Sequence, residues 1–205
     1  MPNVKGTLKP TLRQEKAELT RRRIAQAARR LFAARGYGAT TLTAIAGEAG
    51  VAVQTVYAVY RSKAGILRAL REDVLREPRA EALFQEALAA RRASGKLELF
   101  ARSIRRRWES GHDVVAISED AGATDPAVRR EVDALLTVRR KGLAQFARSI
   151  GGDLMPGLDA PRAMAVLDAL TLPALYAELV IVHGWTPDEF ESWLARTLKG
   201  QLLSD

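Results

Sequence analysis

The sequence predicts an all-α protein of about nine helices, a small basic N-terminal unit followed by a larger helical bundle. Three observations predict it. Apolar residues recur at helical spacing along most of the chain, and no run alternates apolar and polar residues as a half-buried strand would. Three segments open with a capping residue and a nearby proline, at Asp125-Pro126, Asp159-Ala160-Pro161 and Thr186-Pro187. Glycine pairs and Pro-Gly steps stand between the periodic segments, where helices must stop.

In chain order, residues 1–18 hold Pro2, Gly6 and Pro10 and read as a flexible basic arm. A first helix runs from about Leu19 to Arg35, with Ile24, Ala28, Leu31 and Phe32 on one face, and Gly36 and Gly38 break it. Three short helices fit between Thr41 and Glu77, ended by Pro78. Helices over 79–93 and 96–110 flank Ser94-Gly95, and a connection through Gly111 and Gly122 leads to a helix from Asp125-Pro126 to about Ile150. Gly151-Gly152 and Pro156-Gly157 mark a loop. The next helix reaches His183-Gly184 with a kink expected at Pro173, where the ring removes a hydrogen bond. In the last, Thr186 caps, Pro187 takes the first position and Glu189 can reach back to the cap. The domain reading is 19–78 for a reading head and 79–205 for a ligand-binding and dimerisation domain.

Composition narrows the function. The chain of 205 residues carries a net charge of +8, but the excess is not shared. Residues 1–77 hold 15 Lys and Arg against 6 Asp and Glu, whereas residues 78–205 hold 17 against 18. A basic first third points to a polyanion partner, nucleic acid or an anionic membrane face, with a merely solvated surface as the alternative. Cysteine is absent, which excludes disulfides and thiolate chemistry. His112 and His183 show no metal spacing, no nucleophile is joined to a base by spacing, and no glycine-rich phosphate loop occurs. The expectation is no catalytic residue, no metal and no cofactor. The N-terminus lacks an apolar signal core, and the greasiest stretch, Leu170 to Trp185, is too short to span a bilayer and carries Glu178. A cytoplasmic chain without a membrane partner is expected.

The informative stretch is 42–60, LTAIAGEAGVAVQTVYAVY. Two short helices that cross steeply need a small residue where their backbones meet, and Ala46 supplies it. The first must end in a tight turn, and Gly50 accepts the left-handed conformation there without a Cβ clash. The second must bury one face, and Ile45, Val51, Val56 and Val59 are apolar at the required positions. Together these describe a helix-turn-helix, with an ordinary helical hairpin as the alternative. If those residues face inward, then Val53, Gln54, Tyr57 and Ala58 project toward a major groove. Gln54 can hydrogen-bond an adenine edge, and Val53 and Ala58 can touch thymine methyls. Thr55 and Tyr57 carry hydroxyls suited to phosphate oxygens.

These residues resemble the TetR/AcrR family of bacterial regulators. The likeness covers about Thr20 to Leu70: Ile24, Ala28 and Leu31-Phe32, then Arg35-Gly36-Tyr37, Thr40-Thr41-Leu42, Ile45-Ala46, Ala49-Gly50-Val51, Thr55-Val56-Tyr57, Tyr60 and Ser62-Lys63. It implies a homodimeric, all-helical repressor of a pseudo-palindromic double-stranded DNA operator, released by a small-molecule effector in the larger domain. Carried onto matching positions, it implies Thr41 as a helix cap, Thr43 as a residue approaching DNA, and Tyr57 and Lys63 as phosphate contacts. The sequence departs from the family pattern at Ala52, where a capping Ser or Thr is usual, at Ala58, and at Ala64-Gly65, which remove an expected capping box after Ser62.

Arg21, Arg22 and Arg23 follow an arm with Lys5, Lys9, Arg13 and Lys16, and read as shared phosphate or minor-groove contacts, or as a solvated helix start. Arg105-Arg106-Arg107 reads as a solvated face. Aromatics of the larger domain are mostly core, but Trp108, Phe146 and Tyr176 can line an effector cavity with Ile104, His112 and Glu178. The last two helices carry Leu167, Leu170, Leu175 and Leu179, then Trp193, Leu194 and Leu198. The resemblance places a four-helix dimer interface there, the alternative being burial within one chain. Dimerisation has its own physical case, since two linked heads bind two half-sites cooperatively.

Overall fold

The structure, a computed structural model, describes residues 11–204. The chain divides into two compact units between Ala69 and Leu70. Helix α4 (Lys63–Leu75) crosses that division.

The first unit holds α1 (Leu12–Arg35), α2 (Leu42–Ala49), α3 (Val53–Tyr60) and the start of α4. Helix α1 begins earlier than its apolar pattern suggests. Thr11 accepts the backbone N–H of Gln14 at 3.3 Å, and the Gln14 side chain accepts the N–H of Thr11 at 2.8 Å, a reciprocal cap that starts the helix at Leu12. Residues 12–19 are exposed throughout, so they form helix without the stripe that marks one. The expected arm is therefore corrected over 12–18: Arg13 and Lys16 lie on α1, while Lys5 and Lys9 lie outside the described residues. Burial starts at Ile24 and continues through Ala25, Ala27, Ala28, Leu31 and Phe32, packed around Ile45, Val56, Ile66 and Leu67. The helix ends at Gly36, with φ of 78°.

The second unit holds the end of α4, α5 (Pro78–Ala89), α6 (Ala93–Thr124), α7 (Pro126–Ser149), α8 (Ala160–Leu170), α9 (Pro173–Tyr176) and α10 (Pro187–Leu202). Helix α6 covers the helix expected over 96–110 and also the connection expected after it through Gly111 and Gly122. Ser94 and Gly95 fall in its first turn, where backbone N–H groups have no helical partner to lose. Gly111 has non-helical backbone (φ −169°, ψ 32°), so the end expected there falls at a real break, and what differs is that a second helical stretch follows it in place of a connection. A Cβ there would lie 2.0 Å from a methyl of Val74, so the missing side chain is what lets α4 and α6 approach. The core centres on Phe100 stacked against Phe146 at 4.4 Å, with Phe84 about 6 Å from both. Arg71, buried near the end of α4, pairs with Glu131 of α7.

The single helix expected from Asp159 to His183 is also broken, and more completely than a kink. It stops at Thr171, resumes at Pro173 as one α-turn, and continues as a π-helical turn over Ala177–Val182. The broken backbone is satisfied from elsewhere: Thr171 O accepts from Trp108 Nε1 at 3.0 Å and from Arg139 Nη2 at 3.3 Å. The start of α10 is as expected, with Thr186 and Glu189 bonded reciprocally. Those bonds hold the Glu189 carboxyl below the usual carboxylate range.

Burial corrects part of the expected interface. Leu167, Leu194 and Leu198 are fully buried within their own unit and belong to its core. Leu170, Leu175, Leu179 and Trp193 are half-buried. The exposed apolar residues nearby are instead Leu172, Ile181 and Val182. Among the described residues no single helix is long and apolar enough to cross a membrane, and no cluster of metal-binding side chains occurs.

Candidate nucleic-acid interface

Helix α2 starts where Thr41 accepts the N–H of Ala44 at 3.1 Å. It ends at Gly50, in the left-handed conformation (φ 64°, ψ 43°). The turn closes on itself, since Gly50 N donates to Gly47 O and Val51 N to Ala46 O, at 3.1 and 3.0 Å. Arg23 adds a bond from Nη2 to Ala49 O at 2.7 Å, and a Cβ on Gly50 would come within 2.9 Å of that nitrogen. Between α2 and α3 the chain turns through 107°. Ala46 is buried at the crossing, as its size requires.

Helix α3 is short and sided. Val56 and Tyr60 are buried, Val53, Thr55 and Val59 half-buried, and Gln54, Tyr57 and Ala58 exposed. Tyr57 is 54% exposed, an unusual position for a large aromatic without a partner. Ala52 makes no side-chain cap, so the helix forgoes about 1 kcal/mol of capping. The orientation is fixed from behind. The Tyr60 hydroxyl donates to Arg21 O at 3.0 Å, and the Arg21 guanidinium lies 4.8 Å from the Tyr60 ring centre. Of the expected outward set Gln54, Tyr57 and Ala58 are exposed and Val53 is half-buried, and Thr41 and Thr43 at the start of α2 are exposed as well.

The basic residues divide by role. Arg22 is exposed and pairs with Glu18 at 2.9 Å, and Arg30 pairs with Glu48 at 2.9 Å. Lys63 is half-buried: its Nζ donates to the carbonyls of Tyr37 and Gly38 at 2.7 and 3.3 Å and lies 4.5 Å from the Tyr37 ring centre. It pins the loop after α1 and has one N–H left for a phosphate. Buried Thr40 closes the same loop, donating to Gly36 O at 2.8 Å, a role with no sequence signal beyond Thr40 itself.

The junction of α3 and α4 carries a feature the sequence does not announce. Arg61 has φ of 65° and ψ of −35°, the one non-glycine residue with positive φ among the described residues. Ser62 N donates back to Tyr60 O at 2.8 Å, closing a classic-type γ-turn around Arg61. The turned carbonyl of Tyr60 would lie 2.1 Å from a Cβ on Gly65, so this turn leaves no room for a side chain there. Ser62 Oγ still accepts the N–H of Gly65 at 3.0 Å, so half of the capping box survives.

In the second unit the expected effector residues differ in burial. Ile104, Trp108, Phe146 and Tyr176 are buried. Phe146 belongs to the phenylalanine cluster, whereas Tyr176 packs edge-on against Phe190 at 5.0 Å and beside His112 at 5.4 Å. Burial pushes the Tyr176 hydroxyl up from its ordinary value, helped by nearby Glu109. Glu178 is exposed and faces His183 at 3.4 Å. A shallow groove of about 390 Å³ opens instead beside Trp185, Trp193 and Arg196, lined by none of the six.

The comparisons agree with this geometry. The family described as bacterial regulatory proteins, tetR family, matches residues 24–70. NalD, the secondary repressor of the MexAB-OprM multidrug efflux pump in Pseudomonas aeruginosa, has a similar fold. It shares 23% identity over 93% of this chain and 99% of its own, with a TM-score of 0.71. SmeT, solved as a complex with triclosan, shares 20% identity over 91% of this chain and 92% of its own, with a TM-score of 0.71. The transcriptional regulator FadR from Bacillus subtilis, solved with stearoyl-CoA, shares 18% identity over 86% and 96%, with a TM-score of 0.68. No curated protein matches the chain.

Proposed function

We propose that this chain, whose residues 24–70 match the tetR family of bacterial regulatory proteins, is a regulator of that family and works as a homodimeric transcriptional repressor in the cytoplasm. Two reading heads, each within residues 19–78, would enter successive major grooves of a pseudo-palindromic operator. The observation that carries this reading is the exposed face of α3, where Gln54, Tyr57 and Ala58 stand outward on a helix locked from behind by Tyr60 and Arg21. Gln54 reads a base edge, Val53 and Ala58 touch methyl groups, and Thr41, Thr43, Thr55, Tyr57, Arg21, Arg22 and Lys63 hold phosphates. Residues 79–205 pair two subunits and receive a small molecule that lowers operator affinity, and the chain has no catalytic role. SmeT and FadR, solved with triclosan and stearoyl-CoA, favour an apolar effector.

The test is fluorescence anisotropy on duplex DNA from upstream of the chain's own reading frame, across a salt series. Tight binding that weakens steeply with salt, and falls about tenfold or more in Tyr57→Ala, supports the reading. Binding that is absent, or indifferent to salt and to Tyr57→Ala, overturns it. The packed interior around Trp108, Phe146 and Tyr176 favours one second reading, a regulator whose C-terminal unit answers to a protein partner. Operator release by an apolar compound would decide against that.

A further inference from the structure

We propose that Arg61 is a phosphate-binding residue at the end of the reading helix, and that its strained backbone is retained for the sake of its side chain. The inference rests on the reading of α3 as the DNA-facing helix. Arg61 directly follows α3, three residues past Ala58 and four past Tyr57, so its Cα stands at the end of the helix that bears the exposed set although its own φ is not helical. Its N–H still donates to Tyr57 O at 2.9 Å, so the helix geometry reaches it. Its side chain is exposed, and among the described residues it makes no ion pair or hydrogen bond.

The backbone supplies the second, independent observation. A γ-turn with positive φ is rare and costly for any residue with a Cβ, and glycine would occupy it without that cost. Two neighbours are already adapted to the turn: Gly65 makes room for the Tyr60 carbonyl, and Ser62 caps the helix that follows. A position so prepared yet filled by the longest cation places strain where function is expected. The neighbouring cation, Lys63, spends two of its three donors on the Tyr37–Gly38 loop. Arg61 has its whole fork available, and a guanidinium can grip a phosphate through two parallel bonds.

The experiment compares the full-length wild type with Arg61→Gly and Arg61→Lys. Two quantities are read, the slope of log affinity against log salt on upstream duplex DNA and the thermal midpoint without DNA. In Arg61→Gly the slope should shrink by about one unit per subunit while the midpoint rises by about 2–4 °C as the turn relaxes. Arg61→Lys should keep the wild-type slope. The proposal is overturned if Arg61→Gly keeps that slope, if its midpoint falls, or if Arg61→Lys loses as much as the glycine variant. A wild type that binds no duplex overturns the DNA reading itself, an outcome distinct from a loss confined to the Arg61 variants.

Discussion

Two bends in this chain solve one problem in opposite ways. Between α2 and α3 the chain turns through 107°, and between α8 and α9 through 44°. The sharper bend is met mostly from nearby: Gly50 supplies the left-handed residue, and the carbonyls of Ala46 and Gly47 are met within five residues along the chain, with Arg23, 26 residues away, on that of Ala49. The gentler bend depends on distant groups. Pro173 cannot donate, and the carbonyl of Thr171 is met by Trp108 and Arg139, 63 and 32 residues away. Arg139 also bonds the Thr171 hydroxyl at 2.9 Å and the Asp168 carboxylate at 3.0 Å. Sharpness of a turn and dependence on the rest of the fold are therefore separate properties.

Three substitutions can break or sharpen that contrast. The largest effect is expected from Arg139→Met, which leaves the Asp168 carboxylate only Arg140, 3.7 Å away, and removes part of the Thr171 shell. Burial already lowers the pKa of this guanidinium, with Asp168 opposing the shift, so the pair sits in a poorly solvated place. Urea unfolding should show a loss of about 3 kcal/mol, and a loss near zero would mean that the α8–α9 bend holds itself.

A smaller loss is expected from Gly50→Ala. Placing a Cβ at φ of 64° and against Arg23 should cost about 1–2 kcal/mol by the same measurement. DNA affinity should fall by more than stability does, because the angle of α3 depends on this residue. If affinity is unchanged, the bend does not set the reading angle.

The smallest change should be a gain. Ala52→Ser restores a side-chain acceptor at the uncapped start of α3 and should raise stability by about 1 kcal/mol. Absence of any gain would show that the N–H groups of that turn are already well solvated.

The same contrast explains what the sequence reveals. At the turn between α2 and α3 the backbone demands are met mostly within a few positions, so Ala46, Gly50, Val56 and the exposed set could be read in order, whereas the supports from Arg21 and Arg23 could not. The reciprocal cap at Thr186 and Glu189 was readable for that reason too. What could not be read depends on contacts across the chain. Gly111 marked the break within α6, but not the helix that resumes beyond it, nor Val74 filling the space above the glycine. Pro173 announced a kink, but not the side chains that turn the kink into a break. Leu167, Leu194 and Leu198 had the spacing of an interface and are buried inside the chain, a choice periodicity does not encode. The first turns of α1 were missed for the reverse reason, since a helix with no buried side leaves no stripe.

The π-helical turn at Ala177–Val182 has a rotational consequence. An α-helix advances about 100° per residue, and a wider turn fits in one residue beyond that count. Every side chain downstream is swung by roughly that angle from where ordinary winding would put it. Leu175 and Leu179 stay against the bundle, while Ile181 and Val182 are carried around to solvent, 61% and 66% exposed. Removing a single residue from this stretch would rewind it and return that greasy pair toward the interior, without altering any amino acid that remains.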